Sequence, residues 1–441
     1  MKPWKSWEQP NSERLCLTSR KKDTESIPYG RRGKTDMETM SGTNGTLHIE
    51  TKKSKETSSK GLQVVFIKKE RKKMSQKLRT SEYVTLGHPD KVADYISEYI
   101  LDHLLVADPD TRYALECQIK DEFVCLAGEV TTKARNWKEN LLTWCREAVD
   151  RIGYTEEYQK KFGGDKYTIC GKQITIAIPN ISAQSPDIAT GVNKQGWGDQ
   201  GIFFGTWNSE SQEWYTKDYA MAKKIGKYLY DNVGKDPAQP YGIDIKTQVT
   251  YDELEKKIVK VVVAIPSVEG KITHKEVQTQ IKKIIKKQFP ETKDAKFVIN
   301  GTGEYHIHGP VGDSGTTGRK LVVDFYGSGS RIGGGSPWTK DGTKADLSLN
   351  MFARELARLA FFHWKEEMPN ISRVDTELSC CIGKQEVLCI TTAYDDEGIP
   401  LHQTADERKV PTDFLINRYG LKTPKFARLC EEGLFSDGLE G

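Results

Sequence analysis

Two glycine-rich stretches enclose a six-residue, mostly apolar run, and this is the pattern that most restricts how the chain can fold. The first reads Gly309-Pro-Val-Gly-Asp-Ser-Gly-Thr-Thr-Gly-Arg-Lys320; the second runs from Gly327 through Gly333-Gly-Gly335 to Asp346. The apolar run 321–326 between them reads as a buried strand, with the two stretches as loops at its ends. Glycines let a backbone approach a ligand closely, and their amides can form an anion-binding nest. Arg319 and Lys320 on the first loop, with Arg331, Lys340 and Lys344 on the second, supply the cations a polyphosphate needs. Asp313 and Asp346 add carboxylates able to hold a metal ion or to read a sugar and base. The spacing is not that of a Walker A loop, and Gly327-Ser-Gly329 lacks the third glycine of a dinucleotide fingerprint. The alternative is a pair of turn-rich hairpin loops with solvated charges.

The 441 residues suffice for two or three domains, and 37% hydrophobic with 29% charged residues describes a globular chain. No apolar run is long enough to span a membrane, and the N-terminus has no apolar signal region. Nine scattered cysteines without a Cys-x-x-Cys pair are expected as reduced thiols in a cytoplasmic protein, with Cys380 and Cys381 as core rather than ligands. Charge is uneven. Residues 1–73 hold 18 Lys+Arg against 9 Asp+Glu, which leaves 48 against 53 for the remainder. Lacking any apolar period, 1–73 is expected to be a disordered basic extension, a solvated tail rather than a nucleic-acid tether. Met74 is expected as the true translational start, which would make 1–73 upstream translated sequence and 74–441 the body.

Along the body, Gly87-His-Pro-Asp-Lys91 leads into a helix, with Ile96, Ile100 and Leu104 on one face and Pro89 in its first turn. His88 and Asp90 then sit at a helix N-terminus, which favours bound phosphate. Strands are expected at 112–119 and 122–132, carrying Glu116 and Glu129, either facing solvent or placed for a purpose. A helix at 137–152 and a strand at 173–178 follow. Residues 180–201 read as a lid or binding loop, followed by a helix at 215–230. A strand at 241–251 would put Asp244, Lys246 and Gln248 on one face, paired with 256–265. Further elements are a basic helix at 273–288, a strand at 296–299, a helix at 346–365, strands at 373–382 and 386–394, and a helix at 412–419. Strand pairs followed by helices recur about three times, which indicates α+β layers rather than a doubly wound sheet.

The polar set contains many cations and hard carboxylate oxygens but no Ser-His-Asp or Cys-His arrangement. It suits a reaction in which a polyphosphate leaves while the protein orients reactants and stabilises charge, with Mg²⁺ on aspartate and phosphate oxygens.

Gly87-His-Pro-Asp-Lys91, Gln184-Ser-Pro-Asp187, Gly198-Asp-Gln-Gly201, the 309–320 loop, Gly333-Gly-Gly335, Lys340-Asp341 and Lys344-Ala-Asp346 together resemble S-adenosylmethionine synthetase (methionine adenosyltransferase) over roughly residues 79–430. The resemblance implies three similar α+β domains around a pseudo-threefold axis and a homodimer or homotetramer with active sites between subunits. It implies attack of methionine sulfur on C5′ of ATP, then cleavage of tripolyphosphate to pyrophosphate and phosphate. By the same resemblance His88 would assist tripolyphosphate departure, while Lys246, Arg319, Lys320 and Lys340 hold its charge. Asp90 and Asp346 match magnesium ligands, with two ions per site implied, and Glu116 matches a potassium ligand. Glu129, Gln184 and Lys344 match methionine-side positions, and Asp313 one shared by methionine and adenosine. Asp199, Asp244 and Ser336 lie in the ATP motifs, and Tyr305 stands where the family stacks a phenylalanine on adenine. Neither nucleic acid nor membrane is expected as a partner.

The chain departs from the family at Leu86 (usually glutamate), Gly301 (proline), Glu304 (arginine), Leu347 (arginine) and Ile265-Pro266-Ser267 (a Gln-His segment). The stretch between Pro186 and Gly198 is short, and the C-terminal tail is altered. Two other readings remain beside the enzyme: a catalytically weak nucleotide-binding regulatory paralogue, and a tripolyphosphatase that does not need methionine.

Overall fold

The computed structural model describes residues 76–185, 196–209 and 215–435. The expectations for 1–73, for Met74, and for Pro186 and Asp187 lie outside these residues. Chain order begins with β1 (Leu78–Val84), α1 (Pro89–Ala107), β2 (Arg112–Lys120), β3 (Phe123–Thr131), α2 (Trp137–Ile152), α3 (Glu156–Phe162) and β4 (Thr175–Ser182). It continues with β5 (Gly201–Asn208), α4 (Lys217–Leu229), β6 (Lys246–Asp252), β7 (Lys257–Ala264), α5 (His274–Gln288), β8 (Lys296–Ile299), β9 (Gly315–Thr316) and α6 (Leu321–Asp324). The last elements are α7 (Ala345–Lys365), β10 (Arg373–Cys380), β11 (Glu386–Tyr394), β12 (Pro400–Lys409), α8 (Thr412–Arg418) and α9 (Phe426–Glu432).

The strands form three four-stranded sheets, ordered β1-β6-β7-β8, β4-β3-β2-β9 and β12-β11-β10-β5. Each is built on an antiparallel hairpin, β6/β7, β2/β3 or β10/β11, whose first strand accepts a distant antiparallel neighbour: β1, β9 or β5. In two sheets the hairpin is followed by helix and then a parallel edge strand, β4 or β8. The third closes instead with the antiparallel β12. The α+β reading with three sheet-plus-helix units therefore holds.

Local chemistry explains the elements that flank the site. In β2 the buried Tyr113, Leu115, Cys117 and Ile119 alternate with outward Glu116, Gln118 and Lys120, the period-two signal of a strand with one packed face. Helix α1 starts where His88 caps it, Nδ1 accepting the Asp90 N–H, with proline next in line. Ile96, Ile100 and Leu104 are fully buried beneath it.

Three local expectations are corrected. The run 321–326 is not a strand. Val323, Asp324, Phe325 and Tyr326 are all buried while Val322 is 43% exposed. The single helical turn α6, with Asp324 N–H on the Lys320 carbonyl, achieves that burial and sends the Asp324 carboxylate inward. The strand expected at 241–251 begins only at Lys246, because the preceding amides bond elsewhere: Gly242 N to Pro266 O and Ile243 N to the Tyr158 hydroxyl. Asp244 therefore does not share a strand face with Lys246 and Gln248. The strand at 173–178 starts instead at Thr175 and is a mostly exposed edge, Gln173 belonging to a 3-10 turn.

Candidate active site

Helix α1 organises the site through carboxylates spaced four residues apart. Asp90 Oδ1 accepts the Thr316 N–H at 2.9 Å, Asp94 Oδ1 that of Gly318 at 2.9 Å, and Glu98 Oε1 that of Thr339. Asp102 accepts the N–H groups of Lys425, Phe426 and Ala427 at the start of α9. One helix face thus pins both glycine-rich loops and the last helix. These residues, Asp90 apart, were not singled out in the sequence, although the i, i+4, i+8, i+12 spacing was visible there.

At the N-terminal end of that face, Asp90 is bonded to Lys320 and lies 3.5 Å from Arg319 Nε. His88 is 2% exposed, and burial together with Lys246 and Lys320 pushes its imidazole down to about 3. Because Nδ1 accepts the Asp90 N–H, the neutral ring carries its proton on Nε2. Lys320 and the Thr316 N–H hold the Asp90 carboxyl below its usual range against the opposing effect of burial, which is the largest single influence on it.

The second loop contributes a matching pair, Lys340 Nζ lying 2.6 Å from Asp346 Oδ2 and 2.9 Å from the Ser336 carbonyl. Ser336 Oγ accepts the Trp338 N–H. At Gly335 a Cβ would strike the Asp346 carboxylate, so the loop needs glycine to pass it. Glu116 ties the loops together: its two oxygens take the hydroxyls of Thr317 on the first and Thr339 on the second. Glu116 stands on the exposed face of β2 and at the same time bonds both loops.

Beside these pairs lies a cavity of about 450 Å³, lined by Asp244, Lys246, Tyr305 and Asp313, with apolar walls from Val262, Val298 and Ile307. Asp244 Oδ2 accepts the Tyr305 hydroxyl at 2.7 Å and the Gly309 N–H at 2.9 Å; Oδ1 is buried and has no hydrogen-bond partner among the described residues. Burial raises the Asp244 carboxyl.

Other candidates stand further off. Glu129 pairs with Ala114, which bridges on its other side to Lys340, and the side chain is exposed. Gln184 bonds Thr131 through its backbone and lies near the outer end of the same sheet. Lys344 caps α7 and reaches Asp341 rather than Asp346. Asp199 is exposed, its carbonyl against the Cys380 thiol, which also lies within electrostatic reach of Asp346. Arg331 leaves the cluster altogether, pairing with Glu377 and covering Phe204. Of the departing residues, Leu86 and Leu347 are buried in the core, while Gly301 and Glu304 line the cavity, Glu304 facing His306 at 3.3 Å.

Among the described residues no three His, Cys, Asp or Glu side chains gather into a metal cluster. Asp90 and Asp346 instead offer single carboxylates, each already beside a lysine. That donor set fits a hard divalent ion completed by substrate phosphate, the usual magnesium arrangement. The oxygens of Glu116, Thr317 and Thr339 fit a larger monovalent ion.

Comparison with known proteins identifies the family. The N-terminal, central and C-terminal domain models of S-adenosylmethionine synthetase match residues 76–179, 194–305 and 307–439. An S-adenosylmethionine synthase from Clostridium tetani is 35% identical over 305 residues, spanning 64% of this chain and 74% of its own. One from Mesoplasma florum is 32% identical over 379 residues, spanning 82% and 95%. A solved structure, described as an unusual S-adenosylmethionine synthetase from Campylobacter jejuni, is similar with a TM-score of 0.69 at 26% identity, over 82% of this chain and 95% of that one. With all three domains matched in order, the chain is a methionine adenosyltransferase and belongs to the S-adenosylmethionine synthetase family.

Proposed function

We propose that the chain joins the sulfur of methionine to C5′ of ATP and then hydrolyses the released tripolyphosphate to pyrophosphate and phosphate. A sulfur lone pair forms the S–C5′ bond, and the C5′–O bond breaks with its electrons on the tripolyphosphate. A thioether needs no base to become a nucleophile, so the residues bind and stabilise charge. His88, neutral and protonated on Nε2, donates to the departing oxygen. Lys246, Arg319, Lys320 and Lys340 spread the growing negative charge. The cavity at Asp244, Tyr305 and Asp313 takes the nucleoside, with Tyr305 offering its ring to the base. Magnesium, when bound, neutralises phosphate charge; Asp90 and Asp346 would hold it, and Glu116 with Thr317 and Thr339 would hold potassium. Glu129, Gln184 and Lys344 face the methionine side, and Asp199 and Ser336 complete the nucleotide's surroundings.

The observation that carries this reading is the joining of two lysine–aspartate pairs, Lys320–Asp90 and Lys340–Asp346, through the loops that Glu116 binds together. Exposed Glu129 suits completion of the methionine side by a second copy in a homodimer or homotetramer. Among the described residues the cysteines are free and no helix is long and apolar enough to cross a membrane. A cytoplasmic site of action, with its ATP, suits both. The body 74–441 is proposed as the working unit and 1–73 as a dispensable basic extension.

The test is product formation by the full chain, and by residues 74–441, with ATP, methionine, Mg²⁺ and K⁺. S-adenosylmethionine, pyrophosphate and phosphate should appear together by mass spectrometry. Folded protein that binds ATP but yields no product would support the regulatory paralogue. A tripolyphosphatase is favoured by one feature, the assembled polyphosphate side beside an exposed methionine side; phosphate release from added tripolyphosphate, with no S-adenosylmethionine formed when ATP and methionine are supplied, would establish it.

A further inference from the structure

Beneath the site lies a set of buried aromatic groups that none of the chemistry above employs. Tyr154, just ahead of α3, donates its hydroxyl to the Gly87 carbonyl at 2.5 Å, immediately before His88. Tyr158, on α3, lies 2.7 Å from His308 Nε2 and accepts the Ile243 N–H at 2.9 Å, immediately before Asp244. His308 Nδ1 lies 2.8 Å from the His306 carbonyl. A carbonyl can only accept, so Nδ1 carries the proton and Nε2 accepts the Tyr158 hydroxyl. The relay is therefore fully determined, from the Ile243 amide through Tyr158 to His308. The next residue, Gly309, donates its own N–H to Asp244 Oδ2. It does so at φ +62°, where a Cβ would strike the Tyr154 hydroxyl. The rings of Tyr154 and Tyr158 meet edge to face at 5.5 Å, and Phe162 closes on His308 at 4.5 Å.

Three chain segments that are remote in sequence thus rest on one aromatic group. They bear His88, Asp244 and the first glycine-rich loop. We infer that Tyr154, Tyr158 and His308 are positioning residues, a buried brace that sets where the leaving-group histidine stands relative to the nucleoside cavity. The two tyrosines divide the work. Tyr154 holds the His88 segment, and Tyr158 with His308 holds the Asp244 side of the cavity. This inference rests on the proposed reaction for its kinetic arm and on the cavity alone for its binding arm.

The experiment uses the full chain, with ATP affinity by calorimetry and steady-state kinetics run in parallel on five variants, four single and one double. Tyr158→Phe and His308→Leu should each weaken ATP binding and raise its KM about tenfold, with a smaller change in kcat. The double variant should cost less than the sum of the two single ones, because both remove the Tyr158–His308 bond while each also loses a bond of its own. His308→Gln, whose amide oxygen can replace Nε2 as acceptor, should recover most of the affinity. Tyr154→Phe should instead lower kcat about tenfold and leave ATP affinity near that of the unaltered chain. The phenylalanine variants keep ring packing, so thermal melts can separate folding from positioning. Unchanged kinetics, additive effects in the double variant, or kcat and affinity falling together in step with melting temperature would each overturn the brace. If the unaltered chain binds ATP but makes no product, the reaction fails while the affinity arm still decides Tyr158 and His308. If it binds no ATP, both fall.

Discussion

Lys340 Nζ sits 2.6 Å from Asp346 Oδ2, six residues apart and both partly open to solvent. A cation and a carboxylate proposed for phosphate and metal respectively occupy each other until substrate separates them. Asp346→Asn and Lys340→Met should therefore each lower kcat/KM by about 10²–10³-fold, the usual loss when one transition-state charge contact is removed. Such an open pair contributes only about 0–1 kcal/mol to folding. Melting temperature should stay within a few degrees; near-normal turnover in a folded variant would remove the assigned role.

Lys91 behaves oppositely. Its ammonium is buried, 2.6 Å from Asp324 and 3.1 Å from Asp94, and lies over the Trp338 ring at 4.7 Å. It is the only described cation holding α1, α6 and the second loop at one point in this way, so Lys91→Met should leave two buried carboxylates without it. A loss of about 3–5 kcal/mol in folding stability is expected, read by urea denaturation. Little change would mean that the carboxylates take up protons without disturbing the packing.

His308 gives a pH signature in stability. Burial lowers its pKa from 6.5 to about 4. Between these values the unfolded chain carries a proton that the folded chain refuses, so stability falls as pH drops from 6.5 towards 4 and is unaffected above 6.5. The slope from this group is at most about 1.4 kcal/mol per pH unit. His308→Gln should flatten part of that acid limb in melts recorded across pH 4–7. An identical limb would show that other groups produce it.

Chelation supplies a fourth test. Asp90 is held by Lys320 and by the Thr316 N–H, so its carboxylate has protein partners of its own. Stripping divalent ions with EDTA should abolish product formation and leave the melting curve nearly unchanged, and added Mg²⁺ should restore turnover. Unfolding on chelation would instead assign the metal a structural role.

The lysine–aspartate chemistry of the two glycine-rich loops was legible as a candidate because it is local: Arg319, Lys320, Lys340 and Asp346 stand among glycines within a few residues of one another in each loop. Elements with regular periods were also legible, α2 at Trp137–Ile152 and β8 at Lys296–Ile299 among them. The apolar run after Lys320 misled because burial of four successive residues looks the same for a two-faced strand and a helical turn. Asp244 was placed on a strand because nothing in the sequence showed the Ile243 amide turning to Tyr158. Strands β5 and β12 give weak sequence signals, β5 being interrupted by Gly205 and β12 almost wholly exposed and polar. The brace was invisible for a simpler reason. Gly87, Tyr158 and His308 are up to 221 residues apart in the sequence, and only the folded chain makes them neighbours.

The borrowed strands have a consequence for how the molecule can be taken apart. Each sheet completes itself with a strand from a different third of the chain: β1 beside β6, β9 beside β2, β5 beside β10. Cutting the polypeptide at either boundary between thirds strips two sheets of an edge strand each and leaves both orphan strands attached to the wrong piece. Such fragments would be expected to regain order only when expressed together, each supplying the other's missing border. The thirds are then a single heritable unit, unable to be traded one at a time between proteins.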